Sequence, residues 1–196
     1  MISHGDNDHI GGAESIIAQQ QVTKILTSVP EMLDKFAPVQ CETGQTWVWD
    51  QVRFDILSPP DQWGVVDENN NSCVLKVTTK QEAILLTADI EQLAEDWLIK
   101  NIAQKLESSI LIAPHHGSNT SSTLLFLNQV NPSIILIPAG YKNRFSFPHE
   151  LVLERYKTNN ISWLNVADQG AIVVDLKTDG FKVSAIRSKK SRYWNN

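Results

Sequence analysis

The sequence predicts a mixed α/β domain, on three observations. Short runs with period-two or continuously apolar patterning alternate with helical patterns along the whole chain. Some neighbouring runs are joined by tight polar turns and others by helical segments, so both hairpins and crossovers are expected. The 196 residues, 42% apolar and 20% charged, suit one core, and no repeat, low-complexity tract or linker divides them.

Taken in order, Met1 and Ile2 are all that precedes a polar, histidine-bearing loop, although such loops normally follow a buried strand. The chain is therefore expected to be a piece of something longer. Gly11 and Gly12 lead into a helix over 14–20, where the absence of Cβ lets backbone approach the loop. A strand is expected over 24–27, and Pro30 opens a helical turn reaching 36. Residues 46–49 and 52–57 alternate around Asp50-Gln51 as a hairpin, and 72–77 with 82–87 form a second one. The pattern turns helical from Ile90 through Leu93, Trp97, Leu98 and Ile102. A strand over 109–113, a helix over 121–130, a strand over 133–137 and a helix over 151–157 follow. Strands at 162–164, 171–174 and 181–183 complete the chain.

The formal charge of -5 argues against a protein that holds nucleic acid by bulk electrostatics. The densest basic segment is the tail, where Arg187, Lys189, Lys190 and Arg192 precede Tyr193 and Trp194. Its simplest reading is a solvated end. Cys41 and Cys73 lack a metal-type spacing and can make at most one bridge. No stretch has the length of an apolar transmembrane helix, and the N-terminus lacks a signal-peptide layout, so the chain reads as soluble.

All five histidines fall in three short segments. His4, Asp6, Asp8 and His9 stand within six residues, a ligand density that a turn can aim at one or two cations. Asp89 ends the strand at 82–87. Alone it reads as a helix N-cap, and the company of the other motifs makes it a ligand candidate. His115 and His116 end the next strand, offering one ligand and one further group. Behind them Gly117, Ser118, Asn119, Thr120, Ser121 and Ser122 form a donor-rich mouth suited to phosphate.

Four segments, His4-x-Asp6-x-Asp8-His9-Ile10-Gly11-Gly12, Asn69-Asn70-Asn71-Ser72-Cys73-Val74-Leu75, Leu86-Thr87-Ala88-Asp89-Ile90 and His115-His116-Gly117-Ser118, together resemble the metallo-β-lactamase-like domain of the ComEC family of DNA internalisation and competence proteins. Order and spacing match over nearly the whole chain. The resemblance implies a four-layer αβ/βα sandwich, incomplete at the N-terminus, with its site at one edge of two facing sheets. Residues 1–187 would be the hydrolase domain lacking its first strands, and 188–196 a basic and aromatic tail. The implied activity is that of a metal-dependent phosphodiesterase or nuclease in DNA uptake, degrading the strand that is not transported. Single-stranded DNA is the implied substrate. The parent would be a polytopic inner-membrane channel carrying this domain on its outer side.

The implied metal ligands are His4, Asp6, Asp8, His9, Asp89 and one of His115 and His116, with Asp89 bridging two ions for in-line phosphoryl displacement. Asp8, Asp89 and His149 form the expected catalytic set, and Asn143 joins the 117–122 mouth in binding substrate. Two departures stand out against the wider superfamily. Asp6 replaces a second histidine, and the Asn71-Ser72 region takes the place of another. Both exchange nitrogen for oxygen, which favours manganese, with zinc or magnesium as alternatives, in one or two positions. His149 follows Pro148 here, where ComEC-like chains tend to have His before Pro. The rival readings are a non-catalytic DNA-guiding module and a hydrolase of small phosphodiesters such as choline-phosphate groups. A β-lactamase is disfavoured because its zinc histidines are not all present.

Overall fold

The computed structural model describes residues 1–64, 67–177 and 180–189. Its N-terminal unit is small and built around the first motif. Helix α1 (Asn7–Ile10) is a single turn, and α2 (Ala13–Gln19) follows the two glycines. Strand β1 (Leu26–Thr27) pairs in parallel with β2 (Val39–Gln40), and Ile2 bridges to Thr27 on the other side. The strand is shorter than the predicted 24–27, because pairing reaches only Leu26 and Thr27. Between them, Pro30–Phe36 is a 3-10 helix kinked at Leu33. Ala13, Ile25 and Leu33 form the core of this unit, with Ile2, Ile10, Ile17 and Phe36 packed on it.

The remainder is organised by one seven-stranded sheet running in sequence order. Strands β3 (Thr46–Trp49), β4 (Val52–Ser58), β5 (Val74–Thr78) and β6 (Ala83–Leu86) are antiparallel neighbours. Strands β7 (Ile110–Ile112), β8 (Ile134–Ile137) and β9 (Ser162–Asn165) then add in parallel, through crossover helices α3 (Gln92–Ile102), α4 (Leu124–Val130) and α5 (Glu150–Thr158). Alternation along the strands splits the apolar side chains between two faces. Leu57, Val74, Leu85, Leu111, Ile135 and Ile137 meet Leu98, Phe126, Val152 and Tyr156 of the helices. Ile56 and Leu75 point the other way, against Cys41, Cys73 and the stacked pair Trp47 and Phe54. Cys41 and Cys73 are joined by a disulfide that spans 32 residues of sequence and ties the segment after β2 to the start of β5.

After β9, α6 (Val166–Gln169) leads to the antiparallel hairpin of β10 (Ile172–Lys177) and β11 (Gly180–Ala185), and α7 (Ile186–Lys189) follows. The boundary expected at 187/188 falls inside α7. Most of the expected basic and aromatic tail, residues 190–196, lies outside the described residues. One crossover helix differs from expectation: α4 begins at Leu124 and not at Ser121. Ser122 has φ of 55°, outside the helical region, and Thr123 is the N-cap whose side chain accepts from the Phe126 N–H.

Candidate metal centre

The first motif is shaped by its own one-turn helix. The Asp6 carbonyl accepts from the N–H groups of His9 and Ile10, each at 2.9 Å, which sets Asp8 and His9 side by side. His4 is fully buried beneath them. One hydroxyl orients both rings: Ser3 Oγ lies 3.1 Å from His4 Nδ1 and 3.0 Å from His9 Nδ1. With both Nδ1 atoms engaged, each imidazole is left to present Nε2, the arrangement in which metal-binding histidines are usually held.

Asp89 follows β6 after Ala88, whose φ of 49° turns the chain off the sheet edge. It does not cap α3. Asn70, from the loop before β5, accepts the N–H groups of Glu91 at 3.1 Å and Ala94 at 3.0 Å through Oδ1. That substitution leaves the Asp89 carboxylate, 4% exposed, free for other partners.

At the end of β7 the histidine pair is separated by its backbone. His115 and His116 have φ of 47° and 53°, and Gly117 follows at 85°. Successive left-handed residues other than glycine are costly and persist where the surroundings demand them. Gly117 is obligatory for a second reason, since a Cβ there would stand 2.7 Å from Pro148 Cβ. The result sends the two rings to different partners. His116 Nδ1 sits 2.9 Å from the Pro138 carbonyl, and its Nε2 lies 3.2 Å from both Asp89 Oδ2 and Asp8 Oδ2. His115 Nδ1 instead lies 3.1 Å from Glu91 Oε1. His116 is therefore the member of the pair that converges on the carboxylates.

His4 Nε2 lies 3.9 Å from Asp89 Oδ2, and His9 Nε2 lies 3.3 Å from Asp89 Oδ1. The Nε2 atoms of His4, His9 and His116 are buried, and none has a hydrogen-bond partner among the described residues. Buried polar atoms are rarely left so, and three aimed at one carboxylate fit a divalent cation. Among the described residues, two groupings of ligand atoms meet the distances: His4, His9 and Asp89, and Asp8, His9 and His116. A His9 ring offers Nε2 to one of them at a time. Asp6 falls outside both groupings, half exposed, with its carboxylate 3.6 Å from His4 Nε2.

The electrostatics agree with that reading. The Asp89 carboxylate pushes His116 up to about 9. Burial opposes charge on Asp89, but His116 and His9 outweigh it and hold its carboxyl below the usual range. Burial likewise works against a charged His9, and Asp89 overcomes it and raises the ring. His4 is lowered, by burial first and by His9 second. Protons here occupy the place that a cation would take, so metal binding would release them.

The centre forms the floor of an open cavity of about 1280 Å³, bordered by Ser3, Asp6, Asp8, His115 and the 138–147 loop. The expected phosphate mouth is not part of it, because none of residues 117–122 lines this cavity. The reason is a carboxylate that had not been singled out. Glu95, fully buried, accepts from the N–H groups of Ser122 at 2.6 Å and Thr123 at 2.8 Å, where an anion at the start of α4 would bind. Ser121 Oγ is bonded to the carbonyls of Pro114 and Ser118, and Ser122 Oγ to the Tyr156 hydroxyl. Thr120 Oγ1 is directed at Glu91, Ser118 Oγ at Thr120, and Asn119 at Arg155.

His149 is the N-cap of α5, its Nδ1 accepting from the Leu151 N–H at 3.3 Å, and it does not border the cavity. Asn143 does border it, but its amide is engaged with Gly140 and Phe147 backbone. Ser3, Asn70, Glu91 and Glu95 were not anticipated from the sequence. Glu95 carried a readable signal, since it lies three and seven residues before Leu98 and Ile102 on an otherwise apolar helical face.

Comparison with known proteins agrees with the geometry. No protein-family model matches the chain. It is 34% identical over 194 residues to Competence protein ComA of Neisseria gonorrhoeae, covering 99% of this chain and 27% of that protein. Identity to the uncharacterized protein YcaI of Escherichia coli K12 is 33% over 195 residues, covering 99% and 25%. Recombination protein 2 of Haemophilus influenzae matches at 31% over 194 residues, covering 99% and 24%. The chain thus spans about a quarter of the length of these curated relatives. Among solved structures, the metallo-β-lactamase fold protein YhfI of Bacillus subtilis superposes with a TM-score of 0.51 at 12% identity, over 83% of this chain and 72% of that one. CmlA, a diiron β-hydroxylase from Streptomyces venezuelae, gives 0.56 at 9% identity, over 94% and 44%. At such identities the likeness is one of fold, and with the histidine and carboxylate cluster at the sheet edge it defines a metallo-β-lactamase-fold domain. The nearly end-to-end matches to competence proteins narrow this further. The chain is related over nearly its whole length to one part of Competence protein ComA and of Recombination protein 2, as its resemblance to the ComEC family implies.

Proposed function

We propose that this domain is a metal-dependent phosphodiesterase acting on DNA during uptake, and that it degrades the strand that is not transported. The observation that carries the reading is the convergence on the buried Asp89 carboxylate of three buried imidazole nitrogens that make no hydrogen bond among the described residues, beside an open cavity. His4, His9, His116, Asp8 and Asp89 would hold one or two divalent cations. Three imidazoles and two carboxylates accept manganese or zinc. A divalent cation in this place supplies Lewis acidity towards a phosphoryl oxygen and lowers the pKa of water.

The protein's own groups do the positioning. Ser3 fixes the His4 and His9 rings, and the Pro138 carbonyl fixes His116. His115 borders the cavity with Nδ1 held by Glu91, so Nε2 is the nitrogen it offers to a phosphate oxygen. The parent is proposed to be a membrane channel with this domain outside. The buried Cys41–Cys73 disulfide supports that side, since such bonds persist in oxidising compartments. No helix among the described residues is long and apolar enough to cross a membrane.

The test is cleavage of a labelled single-stranded oligonucleotide with manganese, beside EDTA and the variants Asp89→Asn and His116→Ala. The expected result is manganese-dependent cleavage that each variant lowers by more than about a hundredfold. Undiminished cleavage in either variant overturns the assignment. Binding without turnover under every divalent cation would identify a DNA-guiding module, and turnover confined to small chromogenic diesters would identify a small-phosphodiester hydrolase.

A further inference from the structure

One wall of the cavity, formed by Asn143, Arg144, Phe145 and Phe147, differs from the rest in chemistry. The loop at 141–147, after β8, reads Tyr-Lys-Asn-Arg-Phe-Ser-Phe, so that aromatic and cationic side chains are interleaved. Tyr141 is 72% exposed and Phe145 58%. Large rings left in water by a floppy loop need no explanation, but this loop is braced. The Asn143 side chain donates to the carbonyls of Gly140 and Phe147 and accepts from the Phe147 N–H, closing the loop on itself. The bracing keeps the rings from folding under, and their exposure forgoes burial that would stabilise the chain.

The cations are placed with the rings. Lys142 Nζ stands 5.3 Å from the Tyr141 ring centre, and Arg144 Cζ stands 4.6 Å from that of Phe145. Neither makes a salt bridge with a described residue, in a chain whose formal charge is -5 and whose cavity floor is acidic. The rings also form a path. Phe145 stacks on Phe147 with centres 5.5 Å apart, Phe147 meets His115 edge-on at 5.6 Å, and His115 adjoins His116 at 6.4 Å. Arg144, Phe145 and Phe147 border the same cavity as the metal centre.

Alternating rings and cations beside a phosphoryl-transfer site match one kind of ligand. Aromatic faces take unpaired bases without regard to sequence, and lysine or arginine beside them takes the intervening phosphates. A duplex keeps its bases stacked on each other and offers such rings nothing. We propose that the 141–147 loop is a stacking platform that seats unpaired bases of a polynucleotide, so that the strand reaches the metal centre single-stranded. Tyr141 and Phe145 carry the bases, and Lys142 and Arg144 the adjoining phosphates. The inference rests on the nuclease reading for the identity of the polyanion, but its test is binding, which absence of cleavage does not touch.

Fluorescence anisotropy with the 196-residue chain would compare three labelled ligands with calcium as the divalent ion. These are a short thymidine oligonucleotide, an abasic strand of equal length, and a blunt duplex. The expected result is roughly tenfold tighter binding of the thymidine strand than of either other ligand. Tyr141→Ala with Phe145→Ala abolishes that preference. Phe145→Leu, apolar but ringless, lowers it as Phe145→Ala does. Lys142→Ala with Arg144→Ala weakens all three ligands alike and flattens the salt dependence. Equal binding of the three ligands by wild type, tighter binding of duplex, or a preference that survives loss of both rings overturns the platform. A ring-dependent preference in a chain that fails to cleave DNA under every divalent cation would sustain the platform and discard the nuclease reading.

Discussion

Asp89 and Glu95 are buried carboxylates six residues apart at the entrance to α3, 4% and 0% exposed, and their surroundings give them opposite parts. Asp89 faces imidazoles whose Nε2 atoms make no hydrogen bond among the described residues, so its charge is sustained by groups that can exchange protons for a cation. Glu95 faces backbone N–H groups of Ser122 and Thr123, which cannot leave. Burial drives its carboxyl up to about 7 despite those bonds. Burial alone therefore does not mark a functional carboxylate. What distinguishes Asp89 is that its neighbours are incompletely satisfied, whereas Glu95 completes the start of α4 and removes it from the anion-binding surface.

The largest expected effect separates the two by what each variant loses. Manganese at about a hundredfold over its dissociation constant should stabilise the wild type by roughly 3 kcal/mol in thermal or chemical unfolding. Asp89→Ala should abolish that gain while the metal-free protein stays folded. A variant that keeps the gain would place the cation elsewhere. Glu95→Ala should do the reverse: metal-free stability falls by about 3 kcal/mol, because two buried N–H groups lose their acceptor. Urea denaturation in EDTA measures it, and a loss below about 1 kcal/mol would mean that water replaces the carboxylate. Smaller still, Ser3→Ala should weaken metal binding by roughly tenfold, since it frees the His4 and His9 rings without removing a ligand. Titration calorimetry reads that shift, and unchanged affinity would show that packing alone orients the rings.

The same contrast shows what could be read from the chain. Hairpins were legible because their signals are local: Asp50-Gln51 separates two alternating runs, and the structure turns there with φ of 53° and 67°. The density of His4, Asp8 and His9 and the strand ends before Asp89 and His116 were legible for the same reason. The choice between His115 and His116 was not, because it depends on two left-handed residues and on Glu91 and Pro138, which come from other elements. Nor was the true start of α4, which Glu95 sets from 27 residues upstream. The placement of the 117–122 segment was not legible on the same account. Its glycine, hydroxyl and amide residues are as expected, but the fold turns Ser121 and Ser122 inward.

The smallest predicted effect tests Glu95 through pH. A carboxyl whose folded pKa is raised holds its proton more tightly when folded, so its contribution is complete below the unfolded value, near 4.5, and is lost as pH rises through about 7. Lowering the pH from 7 to 6 should therefore stabilise the metal-free wild type by about 1 kcal/mol through this group. His9 and His116, both raised by Asp89, also favour the folded state at lower pH. The increment must accordingly be read as a difference between wild type and Glu95→Gln, which keeps an acceptor at the same place but cannot ionise. Wild type should gain more than Glu95→Gln between pH 7 and 6 in EDTA. Parallel pH dependence of the two proteins would mean that the Ser122 and Thr123 N–H groups hold Glu95 ionised throughout. The two carboxylates would then differ only in whether their partners can be replaced by a metal.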